Sequence, residues 1–190
     1  MTSTLPIGFT LATPVALPRQ SGVAHLYKVM NLADAFAIRL PSGASGDPDV
    51  LARFLFMHQP AWIGKLMNVC DAIVADFGLK TARQLAALGT DAKAGRVGIF
   101  KVYSTSEHEI VVGEDDIHLD FRVSVLCSGA PAPDGSRQLT VSTVVHCHNL
   151  LGRTYLFVIA PFHRMVVKAS LRRAARLGWP RAGVHPSITQ

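Results

Sequence analysis

Apolar and polar residues alternate in the second half of the segment from His25 to Leu40. They put Phe36, Ile38 and Leu40 on one face of a strand and Ala35, Ala37 and Arg39 on the other. The loop PSGASGDP follows, and Asp47 before Pro48 predicts a helix start: the carboxylate caps free N–H groups, proline suits the first turn, and the helix ends near Met57. From Pro60 the period changes to three and four residues. Ile63, Leu66, Met67, Cys70, Ile73, Val74 and Phe77 form one helical stripe that Gly78 stops, and Thr81 to Leu88 predicts a further short helix. From Arg96 onward the pattern is strand-like, in the runs RVGIFKVYS, EIVVG, DIHLDFRVSVLC, QLTVSTVVHCHNL and RTYLFVIA. Turn residues separate them, so successive antiparallel pairs are expected rather than helical crossovers. Pro161 then predicts the start of a last helix running to Gly178, with Phe162, Val166, Ala169 and Ala174 inward and Arg164, Lys168, Arg172 and Arg176 as a basic stripe.

This order predicts an α+β fold in which a curved antiparallel sheet wraps around a long C-terminal helix. Residues 1–23 read as an extended arm interrupted by Pro6, Pro14 and Pro18, residues 24–178 as one domain, and 179–190 as a tail. With 190 residues and 49% apolar content the chain can bury a sizeable core, which excludes disorder. No uninterrupted apolar run reaches the ~18 residues of a membrane span, so no transmembrane segment is expected.

The net charge of +6 is unevenly placed. From Gly135 onward Arg137, Arg153, Arg164, Lys168, Arg172, Arg173, Arg176 and Arg181 stand without a single acidic residue. A solvated helix face explains this, as does a contact with an anionic partner. Aromatic residues of the kind that stack on bases are absent from 164 to 176, so nucleic acid is not expected. The three cysteines, Cys70, Cys127 and Cys147, form no CxxC pair, and before Arg19 there is no cation to serve an export signal. Both observations predict a cytoplasmic protein.

The stretches PAW through DFGLK (Pro60 to Lys80), GEDDIHLDFRVSV (Gly113 to Val125) and STVVHCHNLLGRTYLFVIAPFHRMVV (Ser142 to Val167), with the element order, carry a resemblance over residues 24 to 177. The chain resembles the bacterial domain-of-unknown-function family two-eight-six-seven and, more widely, the START-like, polyketide-cyclase-like (SRPBCC) superfamily with the helix-grip fold. The resemblance implies a deep apolar cavity for lipids, sterols, polyketides or other hydrophobic small molecules. Some superfamily members cyclise, dehydrate or hydrolyse what they bind. Members of the narrower family are also found fused to short-chain-dehydrogenase-like domains, but GxGxxG is absent here, so no cofactor is expected.

Candidate chemistry centres on DIHLDFRVSV, where His118, Asp120, Arg122 and Ser124 share one strand face opposite Leu119, Phe121, Val123 and Val125. If the polar row faces the cavity, Asp120 orients His118 as a general base and Arg122 holds an anionic group. If the apolar row does, the polar row is a hydrogen-bonded ladder on the far side. Tyr155 and His163 are the other acid–base candidates. Trp62, Met67, Phe121, Arg122, Tyr155, Phe162 and Val166 are the expected ligand-binding residues. His146 and His148 alternate around Cys147 and could join His118 or Asp120 on zinc, but HExxH and paired cysteines are missing, so no metal is expected. Arg153 is expected to meet Asp115 and Asp116 in a salt-bridged corner. GxSxG and P-loop motifs are absent, which leaves serine hydrolase and nucleotide triphosphatase readings without support.

Three functions follow as expectations. The first is binding of a hydrophobic small molecule between sheet and C-terminal helix. The second is a cyclase or dehydratase using His118, Asp120, Tyr155 or His163, which requires at least two of them at one pocket. The third is an interaction module acting through the basic C-terminal helix, whose binding weakens with salt. A homodimer is compatible with each.

Overall fold

A computed structural model describes residues 9–66, 95–128 and 132–183. The chain builds β1 (Thr13–Val15), β2 (Leu32–Leu40), α1 (Pro48–Met57), β3 (Arg96–Val97), β4 (Phe100–Thr105), β5 (Glu109–Asp115), β6 (Leu119–Cys127), β7 (Arg137–Cys147) and α2 (Leu150–Leu177). All neighbouring strands are antiparallel, and the curved sheet runs β1-β2-β7-β6-β5-β4-β3. This is the expected α+β architecture, with a long C-terminal helix against the sheet.

α1 forms where Asp47 and Pro48 predict it. The Asp47 carboxylate accepts from the N–H groups of Asp49 and Val50 at 2.8 and 3.3 Å, and Pro48 occupies the first turn. Leu51, Ala52 and Leu55 then face the sheet and are buried. The helix starting after Pro60 is seen over 61–66. Its continuation, including Met67, Cys70 and Phe77, and the helix at Thr81 to Leu88 lie outside the described residues.

Register decides which chemistry each sheet face carries. Leu119 pairs with Cys147, Phe121 with Val145 and Val125 with Val141, while Phe36 pairs with Val141 and Ile38 with Leu139 from the other side of β7. These residues form the helix-facing side, and most of them join Leu51, Leu55, Leu171 and Ala174 in the main core. Asp120, Arg122 and Ser124 face the other side with Val111 and Val144. That outer side is not open water. The segment between β1 and β2 crosses it, where Val23 packs on Val111 and Val144 with Leu17, Tyr27 and Met30 around them. Val23 is fully buried and Ser21 nearly so, and the chain just before residue 24 therefore packs on the sheet. At the other end Trp179 is buried, and Ser45 N–H donates to the Pro180 carbonyl at 2.7 Å, tying down the chain past α2.

The largest departure from expectation is the segment RTYLFVIA, which is helix and not strand. α2 starts at Leu150, where the Asn149 side chain accepts from Gly152 N–H at 3.0 Å, and it continues through Pro161. The six-residue apolar run Tyr155 to Ala160 does not distinguish a strand from a buried helix; the Asn149 cap does. Proline inside a helix forfeits the hydrogen bond to the carbonyl four residues earlier, here Phe157. Phe157 is 83% exposed, so water can serve that carbonyl instead. With the start eleven residues earlier than Pro161, the helix phase is set by Leu156, Leu171, Ala174 and Ala175, all buried. Phe162, expected inward, consequently points outward at 42% exposure, whereas Val166 and Ala169 are half-buried.

Candidate functional site

The sheet separates the candidate side chains into two groups. On the helix-facing side α2 rests on two apolar clusters. Its first half, through Leu156, meets Leu32, Leu119, Val145 and Cys147, with Tyr155 and Ala160 partly buried beside them. Its last turns meet α1 in the main core. Phe121 touches both clusters and is only half-buried. Its ring stands edge-on to Phe100 at 5.5 Å between centroids, and Phe100 stands edge-on to Phe56 at 5.4 Å. A row of three half-buried aromatic rings thus crosses β6, β4 and the end of α1.

A polar pair closes the same side of the sheet at β2. Asp34 shares the face of Phe36 and lies opposite Thr143, so it is two strands from β6, about 10 Å across. Its Oδ1 is 3.6 Å from His163 Nε2, beyond hydrogen-bond reach, and both atoms are buried without a hydrogen-bond partner. Arg164 Nε bonds the other carboxylate oxygen at 3.2 Å. Buried polar atoms without a hydrogen-bond partner are uncommon and costly, which sets Asp34 and His163 apart from the apolar residues around them. Sequence reading had His163 but missed Asp34, although extending the Phe36–Ile38–Leu40 face by one step reaches it.

The outer side holds the polar row of β6, which is hydrogen-bonded away from the helices. Arg122 is 8% exposed, and its guanidinium lies 3.5 Å from the Tyr103 ring centroid. It donates to Asp115 at 2.6 Å and to the Phe121 carbonyl at 2.8 Å. Asp115 therefore serves Arg122, where Arg153 had been expected. Gly113, opposite Arg122, is required here: a Cβ would stand 2.1 Å from the Phe121 carbonyl oxygen and 2.9 Å from Arg122 Cδ. A register shift between Val102 and Ser104 places Tyr103 in a bulge, and its hydroxyl donates to Asp115 at 2.7 Å. Burial pushes the Tyr103 phenol well above its ordinary range, reinforced by that bond to Asp115. Burial also works against the Asp115 charge, but the hydrogen bonds from Tyr103 and Arg122 outweigh it and hold the carboxyl below its ordinary range.

Asp120 does not orient His118. Its partner is His148, with Nε2 to Oδ2 at 3.1 Å, a diagonal contact across the β6–β7 ladder. His118 Nδ1 is 2.9 Å from the Asn149 side-chain nitrogen. His146 donates through Nδ1 to the Val29 carbonyl at 2.8 Å and stacks on Tyr27. His146 and His148 meet edge to face, and among the described residues no group of three His, Cys, Asp or Glu is placed to hold a metal. Further along, Glu109 accepts from Ser21, Gly22 and Ser124, pinning the crossing segment to the sheet.

The four acid–base candidates are thus divided two and two. His118 and Asp120 lie on the outer side, while Tyr155 and His163 lie on α2 behind the sheet. Of the expected ligand-binding residues, Phe121, Tyr155 and Val166 are half-buried on the helix side, and Trp62 is 38% exposed at the start of the 61–66 helical segment. Arg122 belongs to the other face, and Phe162 points to solvent. Met67 lies outside the described residues.

Residues 26–170 match the family described as protein of unknown function (DUF2867). The chain belongs to that family. Nothing among curated proteins or solved structures matches it.

Proposed function

We propose that this DUF2867 protein binds a hydrophobic small molecule between the sheet and α2, as a START-like, helix-grip domain would. The observation that carries the reading is the row of half-buried rings on the helix-facing side, which runs from Phe56 at the end of α1 through Phe100 to Phe121, where it meets the α2 cluster. Binding sites for small molecules combine an apolar wall with a few polar groups that fix orientation. Here the wall is aromatic, and Asp34 with His163 supplies the polar end. The free, buried thiols of Cys127 and Cys147 accord with a reducing, cytoplasmic setting. A second reading, catalysis of a cyclase or dehydratase type, rests on the Asp34 and His163 pair alone. It replaces His118 and Asp120, which are turned away, with a carboxylate and an imidazole 3.6 Å apart.

The test is native mass spectrometry of gently purified protein, followed by titration with the fluorescent fatty acid cis-parinaric acid. An apolar adduct, and a tenfold or greater loss of probe affinity in Phe100→Ala and Phe121→Ala but not in Met57→Ala, is the expected result. Probe binding that ignores both phenylalanines refutes the site.

A further inference from the structure

The outward face of α2 carries an apolar row that no described residue covers. Val158, Phe162 and Met165 are 48%, 42% and 49% exposed, and Phe157 beside them is 83% exposed. Leu150, Val158, Pro161 and Met165 follow one another at helical spacing along this face. The same face turns basic toward the C-terminal end, where Arg172, Arg173 and Arg176 are exposed. Where the two characters meet, Pro161, Met165 and Ala169 form one column and Arg164, Lys168 and Arg172 the next. Together these six residues line an open depression of about 320 Å³. Arg172 is exposed there, whereas Arg164 is bonded to Asp34 at 3.2 Å. Lys168 is half-buried at the edge of the depression, its ammonium 5.1 Å from the Phe36 ring.

We propose that this face of α2 docks on a bilayer surface containing anionic phospholipid, with the depression receiving a lipid phosphate and the apolar row entering the acyl boundary. Basic residues flanking large apolar ones on one helix face are what interfacial binding requires, since burial and attraction to anionic headgroups add. α2 contains no Asp or Glu, and among the described residues Asp34 is the carboxylate paired with it, through Arg164. A second copy of this face would therefore bring Arg172, Arg173 and Arg176 no partner charge, whereas phosphates do. Nucleic acid would pair with the arginines but leave Phe157, Val158 and Met165 in water. The helix is long and apolar enough by composition to cross a membrane. Its inner row of Leu156, Leu171, Ala174 and Ala175 is committed to the domain, so it lies along a surface instead.

The full chain is mixed with vesicles of phosphatidylcholine, or of phosphatidylcholine with 30% phosphatidylglycerol, and sedimented at low and high salt. Binding to the anionic vesicles alone, released by salt, is the expected result. Arg172→Gln and Arg176→Gln should each lower partitioning about fivefold, and Met165→Asp should abolish it, with circular dichroism verifying that each variant is folded. Equal binding to both vesicles, no binding at low salt, or partitioning indifferent to folded Arg variants overturns the proposal. So does a monomer–dimer equilibrium that Met165→Asp shifts to monomer, or duplex DNA binding without vesicle binding. Free inorganic phosphate that protects the depression while vesicles fail to bind also refutes the membrane source.

Discussion

Replacing Gly152 by alanine sets two effects of opposite sign against each other. Gly152 lies in the first turn of α2, where helix propensity alone favours alanine by about 1 kcal/mol. The added Cβ would stand 2.2 Å from the His118 carbonyl oxygen, 3.0 Å from its carbon and 3.5 Å from Cys147 Cβ. Ordinary contact requires a retreat of about 1 Å, and the first two atoms are backbone. The His118 carbonyl also accepts from His148 N–H at 2.9 Å, and Gly152 N–H is held by Asn149. Overpacking costs about 1–3 kcal/mol, and weakening that bond and the Asn149 cap adds about 1 kcal/mol each. Net destabilisation of about 2–4 kcal/mol is expected after subtracting the propensity gain. Urea unfolding followed at 222 nm reads it as a midpoint lowered by about 1–2 M at a slope near 2 kcal/mol/M. Thr154→Ala, two residues on and exposed, should stay within about 0.5 kcal/mol of the parent. A Gly152→Ala protein as stable as the parent would show that α2 does not begin against the β5–β6 turn and the end of β7.

The outer-face cluster predicts stability lost at both extremes of pH. Asp115 has a folded pKa below its ordinary value, so its contribution is present above about pH 4 and fades as pH falls further. Tyr103 has a raised value, so its contribution holds below about pH 10 and is lost as pH rises beyond. Urea midpoints measured across pH should show a shallower acid limb in Asp115→Asn and a shallower alkaline limb in Tyr103→Phe. Unchanged limbs would remove these groups from the account. Asp47→Ala should cost about 1 kcal/mol through the lost α1 cap, read by the same urea assay, and Asp47→Asn much less.

Local chemistry made α1 readable, because Asp47, Pro48 and the apolar period all lie within one turn of what they specify. The faces of β6 were equally plain, since strand alternation needs no tertiary information. What the row His118, Asp120, Arg122 bonds to was not readable, because His148 reaches Asp120 only through the β6–β7 register and Tyr103 reaches Arg122 through a bulge. The apolar run from Tyr155 to Ala160 fits a strand or a buried helix, and reading Pro161 as a start concealed a helix that begins at the Asn149 cap. Asp34 was hidden differently: a carboxylate among alanines reads as a solvent residue until β2 is seen to carry it under α2.

The family match spans residues 26–170, yet the structure does not end at those limits. β1, pairing with Ala35, Phe36 and Ala37, shields the edge of β2, and Ser21 and Val23 cap the outer face. A chain trimmed to the match would open that edge to the backbone of another molecule, strip Glu109 of Ser21 and Gly22, and leave Val111 and Val144 wet. It would also lose the last turns of α2 and Trp179 from the main core. The flanking residues thus guard the sheet edge and both of its faces, and a shortened chain should keep everything from Ala12 to Ala182.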